Sequence, residues 1–114
     1  MPKILIAEDD HTMVSLLKTL LKMEGFDVVD LDINTDIPTG VARERPDAIL
    51  MDVHLGGKSG MEVVATLRRN PELAQIKIVM TSGMNLKDEC LKHGADHFLL
   101  KPFMPDELIK VLNN

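Results

Sequence analysis

The chain has 114 residues, 45% of them hydrophobic and 27% charged, which suits one compact domain and excludes a disordered chain. Its net charge of −5 repels phosphate backbones and argues against direct nucleic-acid binding, and a lone cysteine excludes an internal disulfide. No apolar run exceeds four residues, too short for a signal-peptide core or a membrane span, so a cytoplasmic domain with no membrane contact is expected.

Ile4-Leu5-Ile6-Ala7 reads as a short strand buried on both faces. Met13, Leu16, Leu17, Leu20 and Leu21 follow at helical spacing, and Gly25 offers a stop. Phe26 to Leu31 reads as a second strand. Pro38 and Gly40 weaken residues 36–45, where a short or irregular helix is expected. Ala48 to Met51 is a third strand. Ser59-Gly60-Met61-Glu62 fits a capping box that opens a helix through Arg69. Ile76 to Thr81 is the fourth strand, Leu86 to Lys92 a short helix stopped by Gly94, and His97 to Leu100 the fifth strand. Pro105 to Leu112 is the last helix, and Cys90 reads as a packing residue with no base beside it.

Five strands alternating with five helices imply a mostly parallel sheet covered on both faces, with ligands bound at the carboxyl ends of the strands. Those ends carry Glu8-Asp9-Asp10, Asp52, Thr81-Ser82 and Lys101. Helix capping accounts for Asp10. It does not account for Asp52, which ends an apolar strand and precedes a loop. Crowded carboxylates call for positive charge, and a hard divalent cation with oxygen ligands answers that need. Lys101 can neutralise only one of them.

Gly57-Lys58-Ser59 resembles the tail of a phosphate-binding P-loop, but that motif needs glycine at position 52, where Asp52 stands. No dinucleotide-binding glycine pattern follows the first strand. An aspartate-nucleophile phosphatase would need an acid where His54 stands, and a cap domain for which the chain has no length. Asp52 is therefore read as receiving a phosphoryl group, with the glycine–lysine–serine run as loop and helix cap.

These spaced motifs, ending in Gly94-Ala95-Asp96 and Lys101-Pro102-Phe103, resemble the receiver domain of two-component response regulators (the CheY-like family) across residues 1–114. The resemblance implies a flavodoxin-like, doubly wound five-stranded parallel sheet in order 2-1-3-4-5, with five helices on its two faces. It implies a phosphorelay switch rather than an enzyme that turns over a substrate. Asp52 matches the phosphoacceptor, supplied by a sensor histidine kinase or a histidine phosphotransfer protein. Glu8 and Asp9 match the acidic pair that holds Mg²⁺, Asp9 directly and Glu8 through water. His54 matches the position whose backbone carbonyl completes the metal shell. Ser82 matches the hydroxyl that bonds the phosphoryl group, Lys101 the lysine that pairs with it, and Phe98 the switch aromatic. The Lys101–Pro102 bond is expected to be cis, and the domain to be a monomer or weak dimer.

Four features depart from the family pattern. Gly56 stands where proline is usual, and Pro38 and Gly40 disturb the second helix. The stretch from Ser82 to Gly94 is shorter by about one helical turn. The chain stops at Asn114 with no effector domain. An interaction module that kept the fold without phosphorylation is the alternative, and Mg²⁺-dependent labelling by a small phosphodonor separates the two.

Overall fold

The computed structural model describes residues 2–114. Five strands form one parallel sheet: β1 (Lys3–Ala7), β2 (Asp27–Asp30), β3 (Ala48–Asp52), β6 (Lys77–Ser82) and β7 (His97–Leu100). Between β3 and β6 lies a small antiparallel hairpin, β4 (His54–Leu55) and β5 (Lys58–Ser59). The sheet runs β2-β1-β3-β6-β7, so order reverses after β1, and a crevice opens there at the carboxyl ends of β1 and β3. Counting only the sheet strands, this is the expected 2-1-3-4-5 arrangement.

Two cores form because successive strand side chains alternate between faces. Ile4, Ile6, Leu50 and Val79 pack under α1 (His11–Met23) and α5 (Pro105–Leu112). Leu5, Ile49, Ile78 and Met80 pack on the other face, under α2 (Ile37–Glu44), α3 (Gly60–Arg69) and α4 (Lys87–Lys92). The central strand β3 is buried along its whole length, which is why its sequence is a continuous apolar run until Asp52.

One helix differs from the expectation and another meets it. In α1 the buried stripe is Val14, Leu17 and Leu21, while Leu16 is 58% exposed; the stripe is rotated toward Val14. The helix α2 is short, at eight residues, as expected, and it is regular. Pro38 sits in its first turn, where its missing N–H costs nothing, and the Asp36 side chain accepts from the Thr39 amide at 3.3 Å. Gly40 faces Leu31, whose Cδ1 would lie 2.6 Å from a Cβ at that position, so the glycine lets α2 settle onto the sheet. Arg45 in the left-handed conformation (φ 48°) and Pro46 after it end the helix.

The sequence reads as loop over residues where the structure has a hairpin. Gly56 has φ +63° and Gly57 does not have positive φ, the pattern of a two-residue II′ turn, which joins antiparallel strands with matching twist. Thus Gly56 in place of proline makes a hairpin rather than a slack loop. The chain then folds back hard against β3: the Gly60 amide donates to the Val53 carbonyl at 2.7 Å, and a Cβ at 60 would strike the Asp52 carbonyl oxygen.

Candidate functional site

Strand ends supply the site. Asp10 leaves the cluster to cap α1, its carboxylate accepting from the Met13 amide at 3.1 Å. Glu8 turns inward instead and is 3% exposed, with Asp9 exposed beside it. Asp52, 6% exposed, is held at both oxygens. The His54 amide donates to Oδ1 at 3.1 Å, and Lys101 Nζ donates to Oδ2 at 2.8 Å. Lys101 Nζ also lies 3.0 Å from Glu8 Oε2, near enough for strong attraction. It is out of line for a hydrogen bond, since Oε2 has no hydrogen-bond partner.

One ammonium therefore serves two buried carboxylates. Burial pushes the Glu8 carboxyl up to about 7; Lys101 opposes that rise, and the neighbouring Asp9 and Asp52 add to it. Burial works against the charge on Lys101, but pairing with Asp52 and Glu8 outweighs it and leaves its pKa raised. Carboxylate oxygens of Glu8, Asp9 and Asp52 lie within 4.8 Å of one another. Three hard oxygen donors, one of them buried without a hydrogen bond, fit a small divalent cation such as Mg²⁺.

Register carries the remaining candidates to the same rim. Ser82 pairs with Leu100, and the Lys101 amide donates to the Ser82 carbonyl at 2.8 Å, so hydroxyl and ammonium stand on adjacent strands. The Ser82 hydroxyl accepts from the Met84 amide at 3.1 Å. Thr81, also buried, has no partner for its hydroxyl. Phe98 is half-buried against the α2–α4 core, and its register partner is Met80. The Lys101–Pro102 peptide is cis. His54 is exposed, and among the described residues its imidazole makes no hydrogen bond.

Sequence reasoning missed Lys58. Its ammonium donates to the carbonyls of Ile33 at 2.8 Å and Thr35 at 2.6 Å, joining the hairpin to the loop after β2. The adjacent glycines Gly56-Gly57 were the available sign of a hairpin.

A parallel five-stranded sheet with an acidic crevice and a lysine at its switch point defines a flavodoxin-like receiver architecture. The chain belongs to the response regulator receiver domain family, whose model matches residues 4–113. It is thus a receiver of two-component signalling. It is 36% identical over 110 residues to the DNA-binding response regulator MtrA of Mycobacterium tuberculosis, covering 94% of this chain and 47% of that protein. Identity to the phosphate regulon regulator PhoB of Rhizobium meliloti is 31% over 112 residues, 96% of this chain and 49% of that protein. The chain spans about half the length of these relatives. Among solved structures, chemotaxis response regulator CheY4 of Vibrio cholerae superposes with TM-score 0.89 at 26% identity, over 99% of this chain and 97% of that one. The receiver domain of sensor histidine kinase PA1611 from Pseudomonas aeruginosa superposes with TM-score 0.85 at 27% identity, over 98% of this chain and 94% of that one. That structure holds a magnesium ion coordinated in its active-site cleft.

Proposed function

We propose that Asp52 is the phosphoacceptor and that the donor is the phosphohistidine of a sensor kinase or a phosphotransfer protein. The observation that carries this reading is Asp52 itself: a carboxylate at the end of a buried strand, fixed at Oδ1 by the His54 amide and at Oδ2 by Lys101. A carboxylate so held presents an oriented nucleophile. Its oxygen attacks phosphorus as the phosphorus–nitrogen bond of the donor breaks, and the imidazole departs. Negative charge grows on the phosphoryl oxygens, where Lys101 and the Ser82 hydroxyl stabilise it.

Glu8, Asp9, Asp52 and the His54 backbone carbonyl would hold Mg²⁺, which supplies positive charge against the incoming phosphoryl group. Asp10 is spent on its helix cap, so Asp9→Asn should weaken Mg²⁺ binding more than Asp10→Asn does. Phosphorylation draws the Ser82 hydroxyl toward the new oxygens. Alternation places Ser82 on the same sheet face as Met80 and Phe98, so movement of the hydroxyl frees space into which the aromatic ring turns.

The test is direct. Incubation with Mg²⁺ and a small phosphodonor should add one phosphoryl mass, mapping to Asp52. Asp52→Asn should abolish it, and labelling that survives this substitution would overturn the assignment. Labelling lost in Thr81→Ala but kept in Ser82→Ala would move the hydroxyl role to Thr81.

A further inference from the structure

Two loops border the acidic rim. One is the 32–35 loop, whose residues 32–34 line a crevice of about 370 Å³ together with Glu8, Asp9, His11, Asp30 and Leu31. This loop is stiffened from within: Thr35 donates to the Asp32 carbonyl through its amide at 3.1 Å and its hydroxyl at 2.6 Å, and the Asn34 amide donates to Asp32 Oδ1 at 3.0 Å. The other is the β4–β5 hairpin, two rungs long and turned by consecutive glycines. So short a hairpin is marginal alone, and glycines leave its tip the most freedom a chain can have. Yet its first residue, His54, provides the amide that orients Asp52.

Lys58 spans the gap, donating to the Ile33 and Thr35 carbonyls at 2.8 and 2.6 Å. Among the described residues, these are the only side-chain hydrogen bonds that join the two loops. An exposed lysine is ordinarily a solvated surface charge. This one has two carbonyls of a rigid loop as acceptors, and its Cα register partner across the hairpin is the buried Leu55.

We propose that Lys58 is a positioning residue: it latches the Gly56–Gly57 hairpin to the 32–35 loop and so keeps His54 in place to aim Asp52 and to offer its carbonyl to the cation. The proposal rests on the phosphoacceptor reading above. It assigns to a long-range latch the stiffness that proline would otherwise give this loop.

Three proteins decide it: the parent, Lys58→Met and Lys58→Arg. Mg²⁺ titration followed by amide NMR should show Lys58→Met binding roughly tenfold more weakly, the low end of what losing a supporting partner costs a metal site. In metal-free protein, the His54 and Ser59 amides should exchange faster, with the sheet amides and the thermal midpoint unchanged. Lys58→Arg, whose guanidinium also donates to two carbonyls, should restore both readouts toward the parent. Parental Mg²⁺ affinity and hairpin exchange in Lys58→Met would overturn the latch while leaving Asp52 labelling intact. Faster exchange throughout the sheet would also overturn it, because Lys58 would then support the whole fold and not the site. A parent that neither binds Mg²⁺ nor is labelled would overturn the phosphoacceptor reading, and the latch with it.

Discussion

Lys101 stands between Asp52 and Glu8, and Glu8 is the residue left short. Its carboxyl titrates near pH 7 in the fold because burial penalises its charge, against 4.5 ordinarily. Between those values the folded protein binds more protons than the unfolded chain, so stability falls as pH rises through that window. A shift of this size corresponds to about 3 kcal/mol. In metal-free buffer, the thermal midpoint should therefore be higher at about pH 5 than at about pH 8, and Glu8→Gln should flatten the difference. An unchanged slope in Glu8→Gln would assign the effect elsewhere. Strand ends made Glu8, Asp9, Asp52 and Lys101 legible in the sequence, because a charge closing an apolar run has to be there for a reason. Lys58 was not legible: its partners are backbone carbonyls 23 and 25 positions away, which no side-chain pattern marks.

Among the helices, α4 is the shortest. It has six residues, no side-chain N-cap and only Cys90 buried, whose thiol pKa is pushed up by burial as befits a packing residue. Its carboxyl end is nonetheless tied down from α3. Arg68 donates to the carbonyls of Gly94, Ala74 and Ile76 at 2.7–2.8 Å and pairs with Asp96 at 2.8 Å. The same Asp96 oxygen accepts from the Ile78 amide at 2.8 Å. Lost hydrogen bonds to a charged group of this kind cost about 2–3 kcal/mol, so Arg68→Met should lower stability by that order. Amides 90–96 should exchange faster in it; an unaltered exchange pattern would mean that the clasp carries no strain. Spacing, a capping box and glycine stops located the helices, yet leucine spacing misplaced the α1 stripe by favouring Leu16 over Val14. Leucine spacing alone cannot say which flank of a stripe meets the sheet. That α2 is short was legible from Pro38 and Gly40, but the close approach of Gly40 to Leu31 is a tertiary fact.

At the scale of the molecule, alternation of strand and helix was enough to foresee a parallel sheet, but strand order came only through the family resemblance. Periodicity says which faces are apolar, not which neighbours they meet. The face made by α4, β7 and α5 offers Leu91, 39% exposed, and Leu100, 48% exposed, beside a helix too short to add much area. A stable interface needs about 800 Å² from each partner. A phosphoryl mimic should accordingly protect amides 83–93 from exchange while light scattering shows an unchanged, monomeric mass. A mimic-induced dimer across this face would refute that.

The acids of the rim all occur by residue 52, and the ammonium that stands between two of them comes at residue 101. During synthesis, then, the negative half of the site is finished long before its counter-charge exists. Until β7 joins the sheet edge, β1 and β3 bring Glu8 and Asp52 together without Lys101, so a proton or a cation has to relieve their repulsion. The final strand thus does more than extend the sheet: it carries Lys101, the residue after it, to the two carboxylates. A fragment cut before Lys101 should gather its first strands more readily with millimolar divalent cation, or at about pH 5, than at about pH 8 without it, and refolding of the whole chain should lose most of that dependence once Lys101 has docked.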